Sequence, residues 1–294
     1  MKTGSPLVSS IVLNYLNYDQ TIRCAHDLLH QDYPNHDVII VDNHSPNESA
    51  EELRSAFCGN PRVCLLQTER NLGYSGGNNH GAKWRLASGV VDYFLIANSD
   101  VHIPDPTTVT RLVEFAQGRP DVGVVGPKVV SSTGFPQGPY ARPHVLLRCL
   151  RYLLPFLPYV YRLLRRRVDW VKTPRKCYAV VGAFMLLKAR PFAEVGMFDE
   201  HTFLGAEEYI LAEKLRHIGL HFCYFPTVTV VHVHSQSAIA RTGGELRYFD
   251  VGLESMSYYF REYRGTPNAL IQLFRTSAQI YSRYFLPWRG RFGL

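Results

Sequence analysis

The triplet Asn98-Ser99-Asp100 is a first group whose side chains could do chemistry, because it ends the apolar run Tyr93-Phe94-Leu95-Ile96. A run of this kind is typical of a strand that is covered on both faces of a parallel sheet. Ligands bind at the carboxyl ends of such strands, and a carboxylate there can hold a divalent cation against phosphate groups. Taken alone, the triplet is more typical of a turn, since Asn, Ser and Asp favour turns.

Two histidines near the end of a later apolar run form a second candidate group. Residues 222–233 predict a strand, and His232 and His234 alternate along the chain there. Alternation places both side chains on one face, within reach of a common ion. A histidine pair is still more often structural than metal-binding, so the spacing leaves both interpretations open.

The adjacent carboxylates Glu207 and Glu208 form a third group, directly before a helical pattern at 209–217. Leu211 and Leu215 share the inward face of that helix, and Gly219 is a typical helix end. Carboxylates are favoured in a first turn because of the helix macrodipole. Position alone therefore assigns the pair no chemical role.

A glycine-rich stretch lies at 71–79, Asn-Leu-Gly-Tyr-Ser-Gly-Gly-Asn-Asn, and predicts a turn that opens a helix from His80 to Ala87. Glycines at a helix N-terminus expose backbone amides, which could bind a phosphate or a sugar hydroxyl closely. The pattern is neither Gly-x-Gly-x-x-Gly nor a P-loop, so dinucleotide and ATPase sites are weakly supported. As an isolated feature it is typical of an ordinary loop.

Alternating strand and helix patterns must position these groups. A strand, a helix and a strand within about thirty residues indicate a parallel βαβ unit, so the sequence predicts an α/β fold. Further strands are predicted at 8–15, 37–42, 63–67, 122–130 and 178–187, and further helices at 21–31, 48–57 and 107–117.

The chain has 294 residues, 46% of them hydrophobic, which is enough for a substantial core. Its formal net charge of +7 indicates an anionic partner, such as a nucleotide, a nucleic acid or an acidic membrane surface. Six scattered cysteines without a Cys-x-x-Cys pair favour a reducing compartment. The N-terminus resembles no signal peptide and no apolar run could span a bilayer, so we expect a cytoplasmic protein.

A basic, leucine-rich segment interrupts the α/β pattern at about 144–170, with six arginines among its leucines and prolines. Such a segment suits the headgroup boundary of an anionic membrane, and equally a pair of packed helices with a solvated basic face. Residues 1–240 are predicted to form the main domain around it. Residues 241–294 are predicted to form a helical C-terminal extension, whose end is also aromatic and basic.

Taken together, these motifs resemble the inverting family 2 glycosyltransferases of the GT-A fold, over roughly 8–237. The opening strand with Leu13-Asn14-Tyr15, the Val41-Asp42-Asn43 strand end and the 71–79 motif match in order. Asn98-Ser99-Asp100 corresponds to the family's Asp-x-Asp. Later matches are Gly182 to Met185, Phe198 to Glu208, and His232 or His234. The subgroup that it most resembles is the bacterial rhamnosyltransferase-like enzymes of cell-surface glycan assembly.

The resemblance implies a mostly parallel, doubly wound sheet that binds a nucleoside diphosphate sugar, dTDP- or UDP-linked, with rhamnose as one candidate sugar. It implies Mg²⁺ or Mn²⁺ on the diphosphate and a glycan or lipid-linked acceptor, attacked with inversion. Glu208, with Glu207 beside it, would be the catalytic base; Asp100, His232 and His234 would hold the metal. The donor would contact Asn14, Asp42, Asn71, Gly73, Gly77 and Asn98.

One departure from the family bears on mechanism. The family usually has Glu-Asp followed two residues later by Asp, whereas this chain has Glu207-Glu208 and then Ile210. A degenerate domain that binds a nucleotide sugar or a partner transferase is therefore an alternative. A nucleotidyltransferase would need a glycine-rich basic loop after the first strand, which 14–18 does not offer.

Nucleic acid is not expected as a partner, because the arginines cluster among leucines. We expect instead a peripheral protein of the inner membrane face.

Overall fold

The computed structural model describes residues 4–154, 172–233 and 244–285, and a single mixed sheet lies at its centre. The sheet runs in the order β3-β2-β1-β4-β9-β6-β10-β5, with β7 on β6 and β8 on β10. The strands are β1 (Val8–Asn14), β2 (His36–Asp42), β3 (Val63–Gln67), β4 (Tyr93–Asn98), β5 (Val101–His102), β6 (Val122–Ser131), β7 (Pro136–Gln137), β8 (Arg175–Cys177), β9 (Phe184–Lys188) and β10 (His221–His232).

Strands β1 to β4 pair in parallel, so their carboxyl ends meet at one edge of the sheet. Strand β9 is antiparallel to both β4 and β6, and β10 is parallel to β6. The strand order reverses at β1, which has β2 on one side and β4 on the other. Such a reversal opens a crevice at the carboxyl edge. The predicted α/β class is confirmed, and the sheet is mixed beyond β4.

Helices cover both faces of the sheet. Amphipathic spacing explains their burial; α1, for example, turns Cys24, Ala25 and Leu28 into the core. One apolar cluster joins the sheet to α1, α2 and α4, and a second joins its other face to the remaining helices. The helices are α1 (Tyr18–Leu29), α2 (Ser49–Ala56), α3 (Gly73–Ser88), α4 (Thr108–Gln117), α5 (Val145–Leu153), α6 (Ala189–Glu194), α7 (Glu207–His217), α8 (Glu245–Tyr258) and α9 (Asn268–Tyr284), with a π-helix at Tyr259–Tyr263.

The prediction of a glycine-rich turn before a helix at His80 is wrong, because α3 already begins at Gly73. Gly73 has φ +69°, and a Cβ there would lie 2.3 Å from the carbonyl oxygen of Phe203. A Cβ at Gly77 would lie 2.4 Å from Cδ1 of Leu13 on β1. These two glycines therefore permit close packing of α3 on its neighbours, which is a different reason from the predicted approach of a ligand.

The strand predicted at 178–187 is also shorter than expected, since β9 begins at Phe184. The backbone of Ala179 instead pairs with Tyr140, through hydrogen bonds of 2.8 and 3.3 Å. The residues between Ala179 and Phe184, Gly182 among them, therefore form a connection at the carboxyl edge of the sheet. That connection faces the N-terminus of α7, as described below.

The C-terminal helices share their core with the sheet. Leu253 of α8, Phe260 of the π-helix and Phe274 of α9 belong to the same apolar cluster as Ile210 of α7. The boundary at 240 and the insertion at about 144–170 stay predictions; of the insertion, the described residues contain α5, which packs along α9. Within the described residues, no helix is long and apolar enough to cross a membrane.

Candidate active site

Asp42 ends β2 at the carboxyl edge and is only 3% exposed. Its Oδ1 accepts hydrogen bonds from Nδ2 of Asn14 at 2.7 Å and from Oγ of Ser45 at 2.6 Å. Its Oδ2 accepts from the backbone N–H of Ser45 at 3.2 Å and from Nε2 of Gln67 at 3.3 Å. Donors from three neighbouring strand ends therefore fix this carboxylate in one orientation.

Asn14 ends β1 beside Asp42 and is fully buried. Besides donating to Asp42, its amide accepts at Oδ1 a hydrogen bond of 2.7 Å from the hydroxyl of Thr21. Both ends of the amide are thus engaged within the protein. These hydrogen bonds hold Asn14 against Asp42, and the predicted contact of Asn14 with a donor stays a prediction.

The loop before α3 is braced by two asparagines. Nδ2 of Asn43 donates to Oδ1 of Asn71 and to the carbonyl oxygen of Gly73, both at 3.0 Å. Oδ1 of Asn71 also accepts from the N–H of Gly73 at 2.9 Å, and the N–H of Leu72 donates to Oδ1 of Asn43 at 2.9 Å. Asn71 and Gly73 therefore hold the start of α3 against the end of β2.

Asp100 and His232 meet at the same edge, although 132 positions separate them. Strand β10 pairs antiparallel with β5, which places His232 opposite Val101. Nε2 of His232 lies 3.2 Å from Oδ1 of Asp100, and both side chains are at least nine-tenths buried. Nδ1 of His232 lies 2.8 Å from Oε1 of Gln137. His234 lies outside the described residues.

Asn98 ends β4 beside them, half-buried, and its backbone N–H donates to the carbonyl oxygen of Ala183 at 2.8 Å. Across the described ranges, no group of three or more His, Cys, Asp and Glu side chains could hold a metal. The carboxylate of Asp100 and the imidazole of His232 nevertheless provide an oxygen and a nitrogen of the types that divalent metals accept.

Glu207 and Glu208 begin α7 after Ala206, whose φ is +68°. Oε1 of Glu208 accepts a hydrogen bond of 3.1 Å from the backbone N–H of Gly182, and a Cβ at Gly182 would lie 2.8 Å from that oxygen. Glu207 is 6% exposed, and its Oε2 has no hydrogen-bond partner in the described parts of the chain. Gly182 therefore lets Glu208 lie directly against the backbone of the preceding connection.

Burial raises the pKa of both carboxyl groups. In Glu207 the neighbouring charge of Glu208 raises the pKa further, to well above its ordinary value. In Glu208 the Gly182 N–H and the charge of Arg148 act in the opposite direction to burial, and the pKa is still raised. Two adjacent carboxyls with raised pKa values are typical of sites that move protons.

Aromatic and basic side chains surround Glu208. The hydroxyl of Tyr74 on α3 donates to the carbonyl oxygen of Gly182 at 2.6 Å. The rings of Tyr140 and Tyr209 meet edge to face, with centroids 5.6 Å apart. Nη2 of Arg148 on α5 donates to the Tyr209 hydroxyl at 3.3 Å. The basic segment thus delivers a cation beside the carboxylate pair.

Arg148, Tyr140 and Tyr248 were not predicted as site residues. Tyr248 on α8 is 39% exposed, and its pKa is raised by burial and by the charges of Glu207, Glu208 and Asp100. It therefore lies within electrostatic reach of the carboxylate pair and of Asp100. A usable signal existed for Arg148, since it follows the buried Val145 by three positions and is therefore its neighbour on the helix surface.

Both the sequence and the fold of this chain are similar to those of known proteins. Residues 9–195 match the model of the family described as Glycosyl transferase family 2. Among solved structures, a mannosyltransferase from Pyrobaculum calidifontis in complex with GDP-Man and Mn²⁺ has a TM-score of 0.60 at 19% identity, covering 97% of this chain and 72% of that one. GalNAc-T7 with UDP, GalNAc and Mn²⁺ has a TM-score of 0.61 at 13% identity, covering 98% and 58%. Both are GT-A structures, so the predicted fold is confirmed.

Two curated relatives share less than 30% sequence identity with this chain. The O-antigen biosynthesis protein RfbC of Myxococcus xanthus is 27% identical over 84% of this chain, which spans only 19% of that protein. The N-acetylglucosaminyl-diphospho-decaprenol L-rhamnosyltransferase of Mycobacterium tuberculosis is 28% identical over 68% of this chain and 67% of its own length. The chain thus spans about a fifth of the first relative and two thirds of the second.

Proposed function

The chain belongs to glycosyl transferase family 2, and we propose that it moves a sugar from a nucleoside diphosphate donor to an acceptor hydroxyl with inversion of configuration. The family makes it a glycosyltransferase. A dTDP- or UDP-linked hexose, with rhamnose as one candidate, is the proposed donor, and a glycan or lipid-linked saccharide the acceptor. The observation that carries the proposal is the convergence of Asp100, His232 and Glu208 at one edge of the sheet.

Glu208 is the proposed general base. It is less buried than Glu207, and its Oε1 is fixed by the Gly182 N–H at 3.1 Å. A base must be ionised to accept the proton of the acceptor hydroxyl, and Arg148 favours that ionised form. The hydroxyl oxygen then attacks the anomeric carbon on the face opposite the diphosphate, which leaves with the electron pair of the broken bond. Attack from that face inverts the configuration.

Asp100 and His232 are the proposed protein ligands of Mg²⁺ or Mn²⁺, and His234 is a further proposed ligand from sequence alone. Divalent cations in such sites take one or two protein ligands and complete their shell with substrate phosphates and water. An oxygen and a nitrogen 3.2 Å apart fit that incomplete donor set. When bound, the cation would neutralise charge on the departing diphosphate. Both solved neighbours contain Mn²⁺, which supports the proposal.

Donor binding is assigned to the ends of β1, β2 and β4. Asp42 is held by four donors and is proposed to contact the nucleoside, with Asn14 orienting it. Asn98 is half-buried beside Asp100 and is proposed to contact the donor directly. Asn71, Gly73 and Gly77 are proposed to act through the position of α3, because their own groups are used in packing and hydrogen bonds.

A second candidate function is a GT-A domain that binds a nucleotide sugar without efficient transfer. The supporting observation is Ile210, which is fully buried in the apolar core, where the resembling family carries a carboxylate. Such a site would still contain the residues proposed to bind the donor, and it would still contain the candidate base Glu208. Release of nucleoside diphosphate in the presence of acceptor separates the two functions.

The test is a thermal-shift screen of nucleoside diphosphate sugars, with and without Mn²⁺, followed by a coupled assay for nucleoside diphosphate release. Ligands that bind only the folded state raise its melting temperature. We expect a dTDP- or UDP-sugar to raise it, more strongly with Mn²⁺, and to be consumed when acceptor is present. A shift without release would favour the second candidate, and no shift with any nucleotide sugar would contradict both.

The protein is proposed to work at the inner face of a membrane. The outward face of α5 exposes Leu146, Leu147, Leu150 and Leu153 by 45–66%, although these are large apolar side chains. The arginines at 162, 165, 166 and 167, on which part of the expectation rested, lie outside the described residues. Flotation with anionic and neutral liposomes at low and high salt tests this: recovery with anionic liposomes that falls at high salt is expected, and no recovery in any condition would reject it.

A further inference from the structure

The side chain of Tyr74, in the first turn of α3, ends at the connection that supports the proposed base. Tyr74 is 8% exposed, and its hydroxyl donates a hydrogen bond of 2.6 Å to the carbonyl oxygen of Gly182. The backbone N–H of the same glycine donates to Oε1 of Glu208 at 3.1 Å. Gly182 therefore accepts a hydrogen bond from Tyr74 through its carbonyl and gives one to Glu208 through its N–H.

The backbone and the ring of Tyr74 contact a second segment on which the base depends. The N–H of Tyr74 donates at 2.7 Å to the carbonyl oxygen of Phe203, in the loop that leads into α7. The ring of Tyr74 meets that of Phe198 edge to face, with centroids 5.6 Å apart. One residue of α3 thus holds both the connection that carries the supporting N–H and the loop before the helix of the base.

Gly182 has no side chain that could fix its orientation, and the site leaves no room for one. A Cβ at Gly182 would lie 2.8 Å from Oε1, 3.0 Å from Cγ and 3.1 Å from Cδ of Glu208. Because glycine has more backbone freedom than any other residue, its orientation must come from groups that contact its backbone. The hydroxyl of Tyr74 is such a group.

The N–H of Gly182 favours the ionised form of Glu208. Burial raises the pKa of this carboxyl, whereas the N–H and the charge of Arg148 act in the opposite direction. A weaker hydrogen bond from Gly182 should therefore raise the pKa further. Among the described residues, the titratable groups that interact with the carboxylate pair at Glu208 include Glu207 and Tyr209 on α7, Arg148 on α5, Tyr74 on α3, Tyr140, and Tyr248 on α8.

We infer that Tyr74 is a positioning residue for sugar transfer, which holds Gly182 in the orientation from which its N–H fixes Glu208. The inference rests on the proposed function, since it takes Glu208 as the base. Tyr74 acts through Gly182 and is not itself a catalytic residue. Burial and the charges of Glu207 and Glu208 raise the pKa of Tyr74 well above its ordinary value, so its hydroxyl remains a hydrogen-bond donor.

The first test is Tyr74→Phe, which removes the hydroxyl and keeps the ring. We expect kcat to fall about tenfold to a hundredfold, as displacement of a reacting group does, with less than about a twofold change in the KM of the donor. The acid limb of kcat/KM should move up by about half to one pH unit, because the ionised base loses part of its hydrogen bonding.

Tyr33→Phe is the matched control. Tyr33 is 7% exposed, and its hydroxyl donates at 2.7 Å to the carbonyl oxygen of Pro6, just before β1 at the opposite edge of the sheet. Both variants lose a buried hydroxyl that binds a backbone carbonyl, so both should lose similar stability in urea. Only Tyr74→Phe should change kcat and the acid limb. Equal effects of the two variants on transfer, or an unmoved acid limb in Tyr74→Phe, would overturn the inference.

Combination with Glu208→Gln separates positioning of the base from support of the fold. If Tyr74 acts through Glu208, Tyr74→Phe should lower the residual activity of Glu208→Gln much less than it lowers the activity of the wild type, because the two changes remove one shared effect. The same fold-loss in both backgrounds would mean that Tyr74 serves the fold alone, and the inference would be rejected.

Two measurements by NMR need no sugar transfer: hydrogen exchange of the Gly182 N–H and the titration of the Glu208 carboxyl. Tyr74→Phe should speed that exchange about tenfold and raise the pKa of Glu208, whereas Tyr33→Phe should change neither. These results in a protein without transferase activity would reject the proposed function and still support the hold of Tyr74 on Glu208. Transfer by the wild type, with exchange and titration unchanged in Tyr74→Phe, would reject the inference alone.

Discussion

Helix α7 carries carboxylates in two contrasting environments, less than two turns apart. At its N-terminus, Glu207 and Glu208 form no ion pair with any Lys, Arg or His of the described ranges. Further along, Oε1 of Glu213 accepts from Nε and Nη2 of Arg142 at 2.9 and 2.8 Å and from the Tyr178 hydroxyl at 2.8 Å. Arg264, which follows the π-helix, reaches the same oxygen at 3.3 Å.

The two environments shift the same kind of group in opposite directions. Burial alone would raise the pKa of Glu213, but hydrogen bonds from Tyr178 and Arg142 hold it below its ordinary value. At the N-terminus burial dominates, and both pKa values are raised. Glu213 therefore ties the C-terminal helices to the sheet, whereas Glu207 and Glu208 are kept in a state that costs stability. Costs of that kind are expected where a site serves chemistry.

The largest expected effect concerns the base. Glu208→Gln keeps the shape of the side chain but cannot accept a proton, so transfer should fall about 10²–10⁴-fold, or about 3–5 kcal/mol of transition-state stabilisation. Donor binding, measured by calorimetry with Mn²⁺, should change little. If Glu207→Gln is the more damaging of the two, Glu207 is the base.

The second-largest expected effect is on stability and concerns Glu213, the ion-paired carboxylate of α7. Glu213→Gln leaves Arg142 and Arg264 without a charged partner, and we expect a loss of about 2 kcal/mol in the free energy of unfolding by urea. Glu114→Gln on the exposed face of α4 is the control. The stabilisation is present above the unfolded pKa and is lost as pH falls through the lowered folded pKa, so the gap from wild type should close in acid. If Glu213→Gln lost as much transfer activity as Glu208→Gln, the distinction between a structural Glu213 and a catalytic Glu208 would be contradicted.

The third effect is the pH dependence of transfer. Glu208 must be ionised to act, and burial raises its pKa above the ordinary 4.5. The value of kcat/KM should therefore fall about tenfold per pH unit as pH drops below that raised pKa. Glu208→Gln should remove this acid limb from the residual activity. An acid limb at or below 4.5 would mean that the carboxyl is held ionised, as Glu213 is.

The carboxyl edge of the sheet was predictable from sequence, because apolar runs and the polar residues that end them are local signals. Asp42 and Asp100 lie at the predicted strand ends for that reason. The order of motifs identified the family, and the family match confirms it. The roles of the individual site residues stay predictions.

The parts that were missed depend on tertiary contacts. Local propensity predicts a turn at Gly73 and Gly77, but both glycines belong to helix α3. They lie where that helix packs closely against Phe203 and Leu13. Arg148 was grouped with a membrane segment by composition, yet its partner Tyr209 is 61 positions away. Tyr248 carries no local signal at all, since only the docking of α8 brings it near the carboxylates.

The smallest expected effect tests whether Glu207, at the N-terminus of α7, lowers the stability of the folded protein. Because the pKa of Glu207 is raised by folding, its ionised form is disfavoured in the folded state, and stability should increase as pH falls through the raised pKa towards the unfolded value. Glu207→Gln removes that charge, so at neutral pH it should raise the free energy of unfolding by about 1 kcal/mol. The gain should vanish below the unfolded pKa, where the wild-type carboxyl is neutral in both states. Urea unfolding across that pH range measures it, and a destabilised variant at neutral pH would make Glu207 a structural carboxylate like Glu213.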